Sequence, residues 1–179
     1  MKIIAVGSVS ASGKTTLVNK VIELFNLHKC KTTTTRKIRP GESVDDYYFV
    51  TVDEFNDLLN NDKLIEHNVV YGNSYGLSKA ELTIGETIPV VVILDVGGIK
   101  TIKSKYPDTL TIFIEPPSRE IIIERLKDRK TGDVHDMERR LNEFDREVIE
   151  GKSFDQVITQ GNIDDMLFQF NSIITQYLK

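Results

Sequence analysis

Cysteine is nearly absent. Cys30 stands alone, so there is no internal disulfide framework, and the residue reads as a small buried hydrophobe in a reducing compartment. Histidine is almost as scarce: His28, His67 and His135 are scattered without metal-ligand spacing, and no structural zinc is expected. Long hydrophobic runs are missing. Nothing approaches the roughly 18 apolar residues of a membrane span, and Met1 to Val6 is too short an apolar stretch for a signal peptide and has no cleavage site after it. An excess of positive charge is missing too. The formal charge is -4, with no Lys/Arg-rich face of the kind that grips a phosphodiester backbone. These absences predict a cytoplasmic protein with no membrane and no nucleic-acid partner, either a monomer or a homodimer.

What is present suits one domain. The chain has 179 residues, 40% of them hydrophobic, enough to bury a real core. Ile3 to Val6 reads as a short buried strand followed by small residues. Leu17, Val18, Val21, Ile22 and Phe25 then mark one face of a helix from about Lys14 to Phe25. Tyr47 to Val50 reads as a strand. Asp53 reads as the N-cap of a helix carrying Phe55, Leu58 and Leu59, and Asn68 to Tyr75 as a strand with a turn at Gly72-Asn73. Pro89 to Val96 is a nearly continuous apolar, β-branched run, as in a parallel strand buried on both faces; Leu110 to Ile114 is a second. Ser118 caps a helix to about Asp128, another runs from about Asp136 to Glu150, and Phe154 to Thr159 is a last strand. Ile163, Met166, Leu167, Phe170, Ile173, Ile174 and Tyr177 trace one face of a closing helix. The alternation predicts an α/β fold with a central parallel sheet flanked by helices. A polar stretch at 32–86 interrupts it and reads as an inserted lobe.

Between the first strand and helix lies Gly7-Ser8-Val9-Ser10-Ala11-Ser12-Gly13-Lys14-Thr15-Thr16. A phosphate-binding loop reads G-x-x-x-x-G-K-[ST], and Gly13-Lys14-Thr15 supplies its end. Ser8 falls where the first glycine belongs, unless the loop is one residue longer and opens at Gly7. Small residues let backbone N–H groups turn inward around an anion, and the helix dipole adds to the pull. Ser8, Ser10, Ala11, Ser12, Gly13, Lys14, Thr15 and Thr16 are therefore expected to hold ATP, with Lys14 bridging the β- and γ-phosphates and Thr15 on Mg²⁺. Asp95, at the end of a buried strand, is a second candidate for the Mg²⁺ shell, through water, although a strand-end aspartate can also simply cap the turn into Gly97-Gly98.

The block Thr32-Thr33-Thr34-Thr35-Arg36-Lys37-Ile38-Arg39-Pro40-Gly41-Glu42 with Asp46-Tyr47-Tyr48-Phe49-Val50 resembles the guanylate kinase family. So do Leu64 to His67, Tyr71 to Gly76, Phe113 to Ser118, Glu124 to Arg129 and Arg139-Arg140-Leu141. The likeness runs over nearly the whole chain. It implies a P-loop kinase with a core at 1–31, 87–116 and 151–179, an acceptor-binding lobe at 32–86 and a helical lid at 117–150. It implies that Arg36, Arg39, Tyr47 and Tyr75 clamp the acceptor's phosphate, and that Thr32 and Glu66 contact its base. Arg125, Arg129 and Arg140 are implied as lid arginines closing on the triphosphate, with Lys14, Arg129 and Arg140 at the chemistry.

Three departures bear on the acceptor. Ser8 replaces the loop glycine. Leu77 stands after Tyr75-Gly76, where the family has a small hydroxyl residue reaching guanine. The family also has Asp-x-Asp, two more residues, then Gly; here Asp95-Val96 runs into Gly97-Gly98, and the simplest alignment keeps Asp95, as metal and acceptor contact, and deletes the second aspartate. The leading expectation is ATP-dependent phosphorylation of a nucleoside monophosphate, GMP or dGMP. The alternatives are a same-fold kinase for a sugar phosphate such as a ribose bisphosphate, and a non-catalytic binding module.

Overall fold

Strand β1 (Ile3–Gly7) alternates its side chains between two buried faces, as a central parallel strand must. The computed structural model describes residues 1–39, 41–128 and 134–179. After β1 come α1 (Lys14–Phe25), β2 (His28–Lys29), β3 (Thr33–Thr34), β4 (Tyr48–Phe49), α2 (Val52–Asn60), β5 (Leu64–Val70), β6 (Asn73–Ser78) and α3 (Lys79–Thr83). The chain continues through β7 (Val90–Ile93), α4 (Val96–Lys105), β8 (Leu110–Ile114), α5 (Arg119–Asp128), α6 (Val134–Gly151), β9 (Gln156–Ile158) and α7 (Ile163–Leu178).

Five strands form one parallel sheet in the order β2-β7-β1-β8-β9. Ile4 and Val6 point to one face, where Leu17, Val18 and Val21 of α1 and Met166, Phe170 and Ile174 of α7 cover them. Ile3 and Ala5 point to the other, with Ile99 and Ile102 of α4. The result is a three-layer α/β core, as the strand–helix alternation predicts. The loop after β1 emerges at the strands' C-terminal edge, where ligands bind in such sheets.

Residues of the polar stretch build a second sheet, β4-β3-β6-β5. Its β5–β6 pair is an antiparallel hairpin, turned at Tyr71 and Gly72, both with positive φ (50° and 77°). Ile65, Leu77 and Leu82 join the core beneath α4, so this sheet is bonded to the core by apolar packing as well as by the chain.

Some elements differ from the sequence reading. The N-cap of α2 is Thr51, not Asp53: Thr51 and Glu54 form a reciprocal capping box, which satisfies two orphan N–H groups at once. The expected strand at 68–75 is two strands and their turn. The apolar run from Pro89 to Val96 is strand only to Ile93; Asp95 then caps α4 by accepting from Gly97 and Gly98 N–H, so α4 follows where the sequence offered two poor helix formers. The strands expected over 47–50 and 154–159 are shorter, at Tyr48–Phe49 and Gln156–Ile158.

Candidate functional site

Gly7 ends β1, paired with Phe113, so the loop opens at Ser8. Ser8 is buried, and its hydroxyl and that of Ser12 are shut off from solvent without a hydrogen-bond partner among the described residues. Ala11 (φ 64°) and Gly13 (φ 93°) both take left-handed backbone, which turns successive N–H groups the same way. Gly13 caps α1 without a side-chain bond, leaving the first helical N–H groups to an anion. Lys14 Nζ donates to Ser8 O at 3.4 Å, curling over the loop. Thr15 and Thr16, in the first turn of α1, are exposed. Ser10, Ala11, Ser12 and Gly13 complete a loop stiffened from above: Val9 and Ala11 pack against Ile122 and Leu126 of α5 and Phe144 and Val148 of α6.

Among the described residues, two arginines approach this loop. Arg125 Nη1 donates to Ala11 O and Ser12 O, both at 3.1 Å, bracing the loop's shape. Arg140 is buried; its Nη1 donates to Ser10 Oγ at 2.8 Å, and its guanidinium lies 4.5 Å from the Tyr71 ring centre. Arg129 lies outside the described residues.

A second cluster sits in the smaller sheet. Arg36 is buried, donates through Nη1 and Nη2 to both oxygens of Glu42 at 2.9 Å, and through Nε to the Tyr75 hydroxyl at 3.1 Å. Tyr47 completes an aromatic wall, 6.2 Å from Tyr75 and 5.3 Å from the Arg36 guanidinium. Burial opposes charge on Arg36, yet its bonds to Glu42 and Tyr75 outweigh that and its pKa is raised. At Arg39 the balance falls the other way: burial, then the charges of Arg36 and Arg140, lower its pKa, and Tyr75 and Glu42 offset them only in part. Burial also pushes the Tyr47 phenol up.

Between the two clusters stand the carboxylates. Glu66 on β5 is 3% exposed, with Oε1 buried and unpartnered among the described residues. Burial, and then the charge of Asp95, push it up to about 8. Asp95 accepts on Oδ1 from Gly97 N (2.9 Å), Gly98 N (3.2 Å) and Asn68 Nδ2 (2.8 Å). Thr32 is buried at the head of β3. Leu77 is fully buried among Ile65, Leu82 and Leu94; its side chain belongs to the core. The sequence reading missed Glu42 as the partner of Arg36, Tyr71 under Arg140, Asn68 beside Asp95, and Glu147. Glu147, on the inward face of α6, carries a buried Oε2 without a hydrogen-bond partner among the described residues; burial pushes it up to about 7, with Lys14 opposing and Asp95 adding. Only a strained turn residue (Tyr71) and the inward face of α6 (Glu147) could have flagged two of these in advance.

Away from the site, Cys30 is buried and pushed up to about 12, by burial first and Glu81 second, as expected of a small core residue. Its neighbours were less expected. His28 and Cys30 gather around Glu81, whose carboxylate accepts from the Tyr48 hydroxyl (2.8 Å) and Lys31 N–H (2.8 Å) and lies 3.3 Å from His28 Nε2. Glu81 thereby ties α3 to the edge of the core sheet. Tyr48 points there while Tyr47 points into the arginine cluster, because successive strand residues face opposite ways.

A parallel α/β core whose first strand delivers a glycine–lysine–threonine loop, faced by two arginine-bearing elements, defines a P-loop kinase. The model of the family described as guanylate kinase matches residues 1–177. The guanylate kinase of Rickettsia bellii is 32% identical over 99% of this chain and 95% of its own, and that of Wolbachia pipientis wMel is 33% identical over 97% and 89%. The crystal structure of guanylate kinase from Anaplasma phagocytophilum superposes with a TM-score of 0.78 at 28% identity, over 99% of this chain and 86% of that one. The chain belongs to the guanylate kinase family and is a nucleoside monophosphate kinase. No helix among the described residues is long and apolar enough to cross a membrane.

Proposed function

We propose how the chain performs the reaction of its family, ATP-dependent phosphorylation of GMP. The observation that carries the reading is the setting of Arg39, whose pKa is lowered by burial first and then by the charges of Arg36 and Arg140; the three guanidiniums make a site that an anion would relieve. Ser8 to Thr16 hold the triphosphate, with the Ser8 and Ser12 hydroxyls and the N–H groups of α1 as donors and Lys14 on the β- and γ-phosphates. Residues 32–86 hold the acceptor, and 117–150 form the lid. Arg36, Arg39, Tyr47 and Tyr75 clamp the GMP phosphate. Arg140, together with Arg129 by family likeness, neutralises charge on the phosphoryl in flight, and Arg125 keeps the loop in shape.

Glu66, Thr32 and Asp95 contact the base. Counted back from Gly98, the family spacing Asp-x-Asp-x-x-Gly falls on Ile93, Asp95 and Gly98 without a deletion. Asp95 then takes the second, base-contacting position and Ile93 the first. This reading replaces the expectation of a lost base contact, and it takes Asp95 away from the metal, since its Oδ1 is already given to Asn68 and the start of α4. Thr15, exposed at the mouth of the loop, would hold Mg²⁺, which would supply withdrawal of charge from the phosphate oxygens. Transfer is direct: the acceptor's phosphate oxygen forms a bond to the γ-phosphorus as the bridging oxygen to the β-phosphate leaves.

Full-length family membership favours neither the sugar-phosphate acceptor nor the non-catalytic module. A coupled ADP-release assay across GMP, dGMP, AMP, IMP, dTMP and ribose phosphates, with Lys14→Ala as control, tests the reading. GMP should give the highest kcat/KM; no ADP with any nucleoside monophosphate would overturn it.

A further inference from the structure

Asn68 lies two residues beyond Glu66 on β5, opposite Tyr75 of β6. It therefore faces the same side as both, between the residues read above as base contact and phosphate clamp. Its amide is fixed at both ends. Oδ1 accepts from Val69 N–H at 2.9 Å, and Nδ2 donates to Asp95 Oδ1 at 2.8 Å; turning the amide over would set acceptor against acceptor and donor against donor. The amide occupies room that only a glycine leaves. A β-carbon on Gly97 would fall 2.8 Å from Asn68 Nδ2 and 3.1 Å from Asp95 Oδ1. A β-carbon on Gly98 would fall 2.8 Å from Glu66 Oε2 and 3.4 Å from Asp95 Oδ2. Two glycines at the start of α4 thus make space for three polar side chains from two different sheets. Asp95 Oδ1 takes all three donors, while Oδ2 lies on the Glu66 side. Glu66 contributes a buried Oε1 without a hydrogen-bond partner among the described residues.

We propose that Asn68 is a positioning residue for base discrimination: with the first N–H groups of α4 it locks Asp95 so that Oδ2 stands beside Glu66, and the two carboxylates accept together from adjacent N–H donors of a purine, its ring N–H and its exocyclic 2-amino group. This rests on the reading of Glu66 and Asp95 as base contacts. An acceptor lacking the 2-amino group leaves one of the two oxygens unpaired, and the discrimination depends on Asp95 being held in place before binding.

The test compares kcat/KM for GMP and IMP in the wild type, Asn68→Ala, Asn68→Ser and Gly97→Ala. Asn68→Ala removes the amide; Gly97→Ala expels it while favouring helix, so a loss there cannot come from a weaker α4. Each variant should lower the GMP-to-IMP ratio roughly tenfold, the size expected for one displaced hydrogen bond to a charged group. The change should appear in the KM for GMP, with the KM for ATP and the circular dichroism spectrum unmoved. A wild-type preference for GMP that survives in all three variants overturns the role of Asn68. A wild type that does not distinguish GMP from IMP overturns the base-contact reading beneath it.

Discussion

Arg140 donates to Ser10 Oγ at 2.8 Å while its guanidinium stacks 4.5 Å from the ring centre of Tyr71, so one side chain of α6 touches both the phosphate loop and the hairpin turn of the second sheet. Tyr71 holds φ 50°, a conformation that costs a non-glycine residue about 1 kcal/mol. The hairpin accepts that strain with the ring set under the arginine.

Arg140→Ala should lower kcat about 100-fold or more, the loss that its proposed role at the transferring phosphoryl entails. Tyr71→Leu should lower it far less, about 3- to 10-fold, by loosening the arginine. A double-mutant cycle on kcat/KM should give a coupling near 1 kcal/mol. Additive effects would separate the stacking from catalysis.

Lys14→Ala should lower kcat by roughly 10² to 10³ with little change in Tm, since the side chain is only half-buried. Steady-state kinetics beside a thermal melt checks both halves. A melt lowered by many degrees would make the loss structural.

Glu42 holds Arg36 in place for its proposed part in the phosphate clamp. Burial raises its pKa and the bonds from Arg36 and Arg39 lower it, with the bonds prevailing. Glu42→Gln keeps the shape and halves the hold on Arg36. The KM for GMP should rise about tenfold, with kcat within about threefold; titration of the free protein with GMP reads the same loss directly.

Glu66 sets a pH dependence of stability. Its folded pKa, about 8, is above the ordinary carboxyl value. Its contribution is therefore fully present below pH ~4.5 and is lost as the pH rises towards 8, where the folded state must ionise a buried carboxyl. Glu66→Gln should melt close to the wild type at pH 5 and clearly above it at pH 9, by at least ~3 °C, while losing affinity for GMP. Parallel melts with the pH raised from 5 to 9 would show the gap opening, and a constant gap would refute it.

Glu147 meets the charge of Lys14 from the inward face of α6, with burial pushing it up to about 7. As the pH rises through 7 it ionises and strengthens its hold on the Lys14 ammonium. The kcat/KM for ATP should therefore bend between pH 6 and 8 in the wild type, and Glu147→Gln should flatten that bend. The profile measured with saturating GMP isolates this step.

Much of the fold was legible because it is local. The spacing of Leu17, Val18 and Val21 fixed α1 to the residue, and the run from Leu110 to Ile114 fixed β8, because a period of 3.6 or a buried β-branched stretch is written into adjacent residues. The phosphate loop was legible for the same reason: Gly13-Lys14-Thr15 needs its strand and helix on either side, and both are contiguous with it. The Thr51 capping box was also local, and the simpler Asp53 reading overlooked Glu54 as its second half.

What the sequence could not settle lies in pairs far apart along the chain. The small residues before Gly13-Lys14-Thr15 and the arginines at 36, 39, 125, 129 and 140 point to phosphate by chemical type alone, so sequence determined that this chain handles phosphoryl groups. Whether Asp95 Oδ1 is committed to capping or left open depends on where α4 begins and on Asn68, 27 residues earlier. Whether Leu77 reaches a ligand or the core depends on the register of β5 against β6, since a one-residue slip exchanges the faces. Those answers come from tertiary packing, which brings a strand of one sheet against the helix start of another; no periodicity within either segment encodes the distance between them.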